Sequence, residues 1–278
     1  MKMRRGLPKI SVLLMLIFLC FFLTDEGFGF ENKKEQTRMN ASYLQLAGMD
    51  MLETLSAPAG WDRGDWLGFA AAAGTGVVLF TLDEKIRDWI QNNRGETSEN
   101  IGSCIRPFGN GWALFAMLSC TYLSGEIFER DSLRKIALMG LQSWLTAGVL
   151  VTGIKLLSGR TRPNSGQPHD DFHLLAFSSR RLSFPSGDTA SAFAVATIIA
   201  GQTRGLGVDI LAYTMAGLVG LYRMHDNKHW ISDVFIGALI GTAVGRKIQM
   251  LHRRRSRTEP PRLTLSPFPG GLSISLRF

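Results

Sequence analysis

The apolar residues of this 278-residue chain are collected into long blocks, and this distribution restricts the fold more than any other feature. Six such blocks follow the N-terminal region, at residues 66–82, 112–128, 136–157, 189–203, 210–222 and 232–250. The first three contain uncharged runs close to the length that crosses a bilayer. The uncharged runs of the last three are shorter and would also suit buried helices of a soluble domain. The blocks alone therefore leave both architectures open.

The N-terminal region has the features of an export signal. The first nine residues carry four basic side chains, an apolar stretch follows, and small residues come next, so we predict a signal peptide at residues 1–29. An uncleaved N-terminal anchor is the alternative. Residues 30–64 are predicted to be an amphipathic segment, because Ala47, Met51 and Leu55 recur at helical spacing. Such a helix lies on the membrane surface or packs against the bundle.

The formal net charge of +8 raises the question of a nucleic-acid partner. The excess is concentrated at the two chain ends and around three polar clusters, with no basic face interleaved with aromatic residues. We therefore expect no nucleic-acid partner. The basic run at residues 252–257 is typical of the cytoplasmic end of a membrane helix.

Two of the three polar clusters predict an anion site. The first, KLLSGRTRP at residues 155–163, places the ammonium of Lys155 and the guanidinium of Arg162 at the end of an apolar block. The second, FPSGDT at residues 184–189, is a turn that opens into a helix. The free N–H groups and the positive dipole end of a helix N-terminus favour an anion such as phosphate.

The third cluster, RMHDNKHWISD at residues 223–233, predicts an oriented histidine. A helix that includes His229 would place His229 and Asp233 one turn apart on the same face. Asp233 would then accept the Nδ1 proton of His229 and leave Nε2 as a nucleophile, as the carboxylate of a catalytic triad does.

Taken together, the patterns K-x6-R-P, P-S-G-x and R-x5-H-x3-D resemble the three-part signature of the type-2 phosphatidic acid phosphatase superfamily, which includes lipid phosphate phosphatases and vanadium haloperoxidases. The resemblance covers about residues 65–251. It implies an all-α integral membrane bundle of six helices with the site at one membrane face. It also implies that the chain hydrolyses a lipid-linked phosphate or diphosphate through a phosphohistidine, with no cofactor and no metal.

The resemblance assigns a role to each residue of the clusters. It implies that His229 attacks phosphorus and that Asp233 orients the imidazole. Cationic side chains, one hydroxyl and one backbone N–H hold the phosphoryl oxygens. This phosphate-binding set comprises Lys155, Arg162, Ser186, Gly187 and Arg223.

The chain departs from the family pattern at Asp188, where the second motif usually ends in a histidine that protonates the leaving oxygen. A carboxylic acid is mostly ionised at neutral pH and then has no proton to give. We therefore expect a preference for diphosphates, whose leaving group departs as an anion, or an acidic optimum, with His225 as a substitute acid. The alternative is a catalytically silent member that binds anionic lipid or acts as a membrane scaffold.

The connections between the blocks carry further expectations. The charged connection at residues 83–106 is expected to be a long loop, part of which roofs the site. The loop at residues 168–181 holds His169, Asp171 and His173, but two histidines without a fixed third ligand are more often solvated than metal-bound. We expect this loop to contact the head group of the substrate.

The orientation of the bundle is predicted from charge. The basic tail favours a cytoplasmic C-terminus and hence a periplasmic active site in a bacterial inner membrane. A cleaved signal peptide followed by six crossings would give the opposite orientation, so the two signals conflict. Residues 252–278 form the tail, and the alternation of Leu272, Ile274 and Leu276 after Pro-Gly-Gly predicts a β-hairpin with residues 262–265.

Overall fold

The computed structural model of the chain describes residues 38–257 apart from 176 and 204, together with the backbone of two short segments beyond them. The expected signal peptide and the start of the 30–64 segment lie outside the described residues. Within residues 38–257 there are nine α-helices, α1 (Ala41–Leu55), α2 (Arg63–Thr81), α3 (Asp83–Asn92), α4 (Glu96–Ile105), α5 (Gly111–Ile127), α6 (Asp131–Ser158), α7 (Gly187–Gln202), α8 (Leu206–His225) and α9 (Ile231–Arg257). Short 3₁₀ turns occupy Ala57–Gly60, Arg106–Phe108, Pro163–Ser165 and Ser179–Arg181.

Each of the six apolar blocks is helical, in α2 and in α5 to α9. The expectation of a long loop at residues 83–106 is wrong, because this stretch forms α3 and α4. Acidic side chains in the first turn of each helix explain the difference, since they interact favourably with the positive end of the helix dipole. The connection is thus an ordered part of the bundle.

Among the helices of residues 38–257, two are long and apolar enough to cross a membrane, α6 over Asp131–Ser158 and α9 over Ile231–Ser256. The pair α2 and α3 also qualifies if its two helices, bent by 54°, form one broken span. Of the first three blocks, which the sequence singled out, the third lies in α6 and the first lies in the bent pair, whereas the second, in α5, falls short. The sixth block gains length because its helix continues through the basic run, whereas α5 has only 17 residues. These helices indicate a membrane protein, and the number of crossings stays a prediction.

A stripe of glycines packs α9 against α7. A Cβ atom added to Gly237 would lie 2.5 Å from the carbonyl oxygen of Ser186, and one added to Gly241 would lie 2.2 Å from that of Ala190. Gly245 continues the stripe one turn later. Because only glycine allows this approach of two backbones, the stripe fixes the start of α9 beside the start of α7.

Two apolar clusters form the core around these helices. The larger one joins α5, α6, α7 and α8, and the smaller one lies where α6, α7 and α9 meet. The members of the smaller cluster are Met139, Ala147, Ala194, Ile198, Val244 and Ile248. Helix α7 contributes to both clusters and is therefore the central helix of the bundle.

Helix α1 packs against α6 and α9 through polar side chains. Its expected apolar face is only partly buried, and its most buried residues are Tyr43, Asp50 and Thr54. Asp50 accepts a hydrogen bond of 2.8 Å from Nε2 of Gln142 on α6 and forms an ion pair with Arg255 on α9. Buried polar contacts thus fix this helix to the end of the bundle that is remote from the three polar clusters.

Beyond the bundle, two strands pair in the tail. Strands β1 (Arg262–Phe268) and β2 (Gly271–Arg277) are antiparallel, with Leu265 opposite Ile274. The first strand is longer than expected, since it continues to Phe268.

Candidate active site

The end of α6 positions the first cluster. The helix stops at Gly159, whose positive φ of 57° favours glycine and ends the helix in the left-handed conformation. One turn earlier, the ammonium of Lys155 donates hydrogen bonds to the carbonyl oxygens of Leu182 at 2.7 Å and Ser183 at 3.4 Å. An ammonium has three N–H donors, so one remains for a ligand.

The start of α7 carries the second cluster. The hydroxyl of Ser186 caps this helix, lies 2.8 Å from that of Thr189 and is completely buried. A Cβ atom added to Gly187 would lie 3.5 Å from Cε of Lys155, so the lysine side chain passes beside the first turn of α7. The first N–H groups of a helix have no partner within it. The contact of the Ser186 hydroxyl with a phosphate stays a prediction, because this hydroxyl is already used.

The third cluster adopts a different local structure from the one expected. Helix α8 ends at His225 and α9 begins at Ile231, so His229 lies in the turn between them and not in a helix. The carboxylate of Asp233 accepts the backbone N–H of Trp230 at 2.9 Å, at the start of α9. Nδ1 of His229 is 3.6 Å from Oδ2 of Asp233, which is too long for a hydrogen bond.

A backbone contact joins the second and third clusters. The N–H of Ser186 donates a hydrogen bond of 2.9 Å to the carbonyl oxygen of Asp233. The glycine stripe of α9 permits this contact, because it lets the two helix starts approach closely. The helix N-terminus and the histidine turn therefore share one side of the bundle.

Two half-buried arginines near this region each have a buried N–H without a hydrogen-bond partner. Nε of Arg162 and Nε of Arg223 are buried without a hydrogen-bond partner. Arg223 does have charged neighbours, since its Nε lies 3.0 Å from Oδ2 of Asp188 and its Nη1 lies 3.5 Å from Oδ2 of Asp226. The contact with Asp188 is an ion pair whose direction does not suit a hydrogen bond. Buried N–H groups without partners are costly, and an anion would satisfy them.

The electrostatic environment of His229 favours the neutral imidazole. Burial lowers the pKa of His229 to about 3, and the positive charges of Lys155 and Arg223 add to this lowering, whereas Asp233 opposes it. Burial and the charge of Arg223 also lower the pKa of Arg162, which shows that these cations lie close enough to interact. A neutral imidazole has a free lone pair at neutral pH.

The other histidines on this side have partners of their own. Nε2 of His225 lies 2.9 Å from the hydroxyl of Ser98 on α4. Nε2 of His173 lies 2.9 Å from Asp171 in the loop that was considered for a metal. Among the side chains of residues 38–256 that the structure describes, no group of three or more His, Cys, Asp or Glu residues is arranged to hold a metal ion.

Sequence reasoning gave no role to three buried residues around Asp233. The guanidinium of Arg160 donates to Asp233 at 2.7 Å and to Asp83 at 2.6 Å, and the hydroxyl of Ser183 donates to Asp233 at 2.5 Å. All four residues have no exposed surface. A signal was available, since Arg160 lies within the first cluster and Asp83 follows an apolar block directly, and charges in such places are expensive unless they have partners.

Comparisons with known proteins show what part of the bundle is similar to. Residues 137–257 match the family model of the PAP2 superfamily. The lipid A 1-phosphatase of Porphyromonas gingivalis is 35% identical over 171 residues, which cover 61% of this chain and 34% of that protein. The lipid phosphate phosphatase 1 of Arabidopsis thaliana is 31% identical over 128 residues, covering 36% of this chain and 39% of that protein. The match thus spans little more than a third of either relative.

Two solved structures have a similar fold. The crystal structure of LpxE from Aquifex aeolicus has a TM-score of 0.50 and 28% identity, covering 61% of this chain and 95% of that one. The crystal structure of a transmembrane PAP2-type phosphatidylglycerolphosphate phosphatase from Bacillus subtilis has a TM-score of 0.53 and 22% identity, covering 68% and 98%. At that identity the second likeness concerns the fold alone. The matched residues 137–257 include all three polar clusters, so this part of the chain is similar to the PAP2 superfamily.

Proposed function

We propose that this protein is a membrane phosphatase that hydrolyses a lipid-linked phosphate or diphosphate through a phosphohistidine at His229. One observation carries the proposal. Buried guanidinium N–H groups of Arg162 and Arg223 have no hydrogen-bond partner, and they share a site with a buried histidine whose pKa is lowered to about 3. The unused donors suit the oxygens of a phosphoryl group, and the neutral imidazole beside them suits the nucleophile that attacks it.

In the first step, Nε2 of His229 forms a bond to phosphorus while the bond from phosphorus to the leaving oxygen breaks. The charges of Lys155, Arg162 and Arg223 neutralise the oxygens of the transferring group. Positioning and electrostatic stabilisation of this kind supply most of the catalysis in phosphoryl transfer. The leaving group is the lipid alkoxide of a monoester, which needs a proton, or the lipid phosphate of a diphosphate, which does not.

In the second step, water attacks phosphorus, the bond between nitrogen and phosphorus breaks, and inorganic phosphate is released. Asp188 serves as the base that takes the proton of the water. Its place 3.0 Å from Nε of Arg223 puts this carboxylate at the edge of the cationic site. His229 then returns to the neutral form.

An apolar groove beside the site supports a lipid substrate. It has a volume of about 920 Å³ and lies between α2 on one side and α6 and α9 on the other. Phe80, Phe172 and Phe184 line the end of the groove nearest the three polar clusters, and aliphatic side chains line most of the remainder. A groove of this size and lining suits the hydrocarbon chains of a lipid whose phosphate reaches the cationic site.

The protein lies in a bacterial inner membrane with its site on the periplasmic face, an assignment supported by the basic end of α9. The substrate is one of the lipids that present the same terminal group, among them phosphatidate, phosphatidylglycerol phosphate, undecaprenyl diphosphate and lipid A phosphate.

Phosphate release by the purified protein from mixed micelles of each of these four lipids tests the proposal. We expect release from at least one lipid, its loss in His229→Ala, and inhibition by orthovanadate. An active His229→Ala variant would show that His229 is not the nucleophile.

The ion pair between Asp188 and Arg223 favours a second candidate, a silent protein that binds anionic lipid, because the carboxylate already neutralises one cation of the site. Binding of phosphatidate vesicles without release of phosphate from any of the four lipids would support it.

A further inference from the structure

Arg160 is a buried cation whose guanidinium nitrogens all donate hydrogen bonds. Its Nε and Nη2 donate to the carbonyl oxygen of His169 at 2.8 and 2.7 Å. Its Nη1 donates to Ser232 at 2.8 Å and to Asp233 at 2.7 Å, and Nη2 also donates to Asp83 at 2.6 Å. A planar fork held in this way has one orientation.

Aromatic rings enclose the same guanidinium. Its central carbon lies 4.8 Å from the ring centre of Phe80, 5.4 Å from that of Phe172 and 5.4 Å from that of Trp230. The rings exclude water and attract the cation. Since Phe80 belongs to α2 and Trp230 precedes α9, the guanidinium links the α2–α3 bend to the histidine turn.

Asp83 holds the other side of this cation. Its Oδ1 accepts the backbone N–H of Ser232 at 3.0 Å, and its Oδ2 accepts the Ser232 hydroxyl at 2.6 Å in addition to Arg160. Asp83 therefore contacts Ser232, the neighbour of Asp233 in the chain, and it shares the cation of Arg160 with Asp233. The carboxylate has no exposed surface.

We propose that Arg160 and Asp83 are positioning residues for catalysis, which hold Asp233 and, through it, set the orientation and charge environment of His229. The inference rests on the proposed function of His229 as nucleophile. Its basis is the continuous chain from His229 to Asp233, Arg160 and Asp83, in which the last three are fully buried.

The first contribution of the pair is fixed geometry. Asp233 is held by Arg160, by the hydroxyl of Ser183 and by the N–H of Trp230, and not by His229, whose Nδ1 is 3.6 Å away. The carboxylate therefore keeps its place while the imidazole moves toward phosphorus. Active-site groups locked by a surrounding shell need little reorganisation during the reaction.

The second contribution is charge. Two carboxylates flank one guanidinium, so the buried group Asp83, Arg160 and Asp233 carries a net charge of −1 behind His229. When His229 bonds to phosphorus, its ring becomes positive, and a buried negative charge stabilises that state more than the neutral ground state. Without Asp83 the group would be neutral and this stabilisation would weaken.

Two variants and one matched control test the proposal. Asp83→Asn removes the charge at nearly unchanged shape, and Arg160→Lys keeps the charge but cannot bridge two carboxylates in the same way. Asp88→Asn is the control, because Asp88 lies on the same helix, pairs with Arg87 at 2.6 Å and has a side chain 58% exposed. Each full-length variant is purified and its thermal unfolding is measured first.

We expect Asp83→Asn and Arg160→Lys to lower kcat about 10–100-fold. This is the range typical of removing a residue that hydrogen-bonds to a metal-ligating side chain, which is a comparable positioning role. KM should stay within about 2-fold, because the side chains of both residues have no exposed surface and their polar atoms are already hydrogen-bonded within the protein. Binding of orthovanadate, followed by calorimetry without any lipid, should weaken in parallel, since the vanadate adduct needs the oriented imidazole. Asp88→Asn should match the wild type in all three.

A purely structural role predicts a different result. Lowered thermal stability with unchanged kcat and unchanged orthovanadate binding in the folded protein would overturn the proposal, and so would a rise in KM alone. If Arg160→Lys does not fold, Asp83→Asn decides the matter. A wild-type protein that neither releases phosphate nor binds orthovanadate would instead refute the proposed function, so the two failures differ.

Discussion

Oδ2 of Asp188 lies 3.0 Å from Nε of Arg223, so the residue at the place of the expected histidine acid forms an ion pair with a cation that we propose binds phosphate. As the partner of a guanidinium, Asp188 acts as a carboxylate, which has no proton to donate to a leaving oxygen. It also competes with the substrate for Arg223. Both effects should reduce the hydrolysis of monoesters, whose alkoxide leaving group depends on a proton.

Asp188→His should therefore raise the hydrolysis of a lipid monoester far more than that of a lipid diphosphate. General acid catalysis contributes roughly 10²–10⁴-fold, and a diphosphate gains little from it because its leaving group is already a stable anion. The measurement is kcat/KM for phosphatidate and for undecaprenyl diphosphate in the two proteins.

Asp188→Asn is the matched control for this substitution. It frees Arg223 from its carboxylate partner without supplying an acid, so it should improve the binding of both substrates to a similar degree, while the loss of the proposed base lowers kcat for both. Equal gains on both substrates in Asp188→His would show that release of Arg223, and not proton donation, limits the reaction.

Removing any one cation of the site should slow turnover strongly while the protein stays folded. Lys155→Ala, Arg162→Ala and Arg223→Ala each remove a contact that strengthens as charge develops, and such losses are about 10²–10³-fold per contact. Arg94→Ala is a suitable control, because Arg94 pairs with Glu99 at 3.3 Å on the surface. A variant with nearly wild-type kcat would take its residue out of the phosphate-binding set.

Much of this fold follows from local sequence. The apolar blocks predicted the helices, and the helical spacing of Gly237, Gly241 and Gly245 suits the close packing of α9 that the structure shows. Motif spacing also named three segments that the structure brings together at the ends of α6 and α8 and the starts of α7 and α9. These features depend on short stretches of chain or on one periodic face, so the sequence contains the information directly.

Other features depend on contacts between distant segments and could not be read from spacing. A helix through His229 was expected, but the carboxylate of Asp233 caps the start of α9 and leaves His229 in the turn before it. The pairing of Arg160 with Asp83 joins residues 77 positions apart. Only the cost of burying an unpaired charge pointed to such a pair, without naming the partner.

The orientation in the membrane is tested by cysteine labelling in a variant without the native cysteines. Asn164 is exposed on the side of the site, and Arg253 is exposed about 33 Å further along the bundle, since 22 residues of helix separate it from Ile231 at 1.5 Å each. In intact spheroplasts, Asn164→Cys should react with a membrane-impermeant thiol reagent and Arg253→Cys should not, because the basic tail stays in the cytoplasm. The reversed pattern would place the site in the cytoplasm, which is the orientation expected from a cleaved signal peptide followed by six crossings.

The glycine stripe connects stability to activity, and Gly241→Ala tests that connection. The new methyl group would lie 2.2 Å from the carbonyl oxygen of Ala190 and 2.9 Å from the backbone nitrogen of Ala194, and backbone atoms within a helix cannot move aside. Helices α7 and α9 must then separate. We expect a loss of roughly 1–3 kcal/mol in the free energy of unfolding, the usual cost of overpacking, despite the better helix propensity of alanine.

The same separation should also lower turnover, because the hydrogen bond of 2.9 Å between the N–H of Ser186 and the carbonyl oxygen of Asp233 depends on the close approach of these helices. Gly217→Ala is the control, since a Cβ atom added to Gly217 on α8 meets nothing within 4 Å. Thermal unfolding in detergent and phosphate release are measured for both variants. Gly217→Ala should be as stable and as active as the wild type, or slightly more stable. Equal behaviour of the two variants would mean that the glycine stripe does not hold the histidine turn against the start of α7.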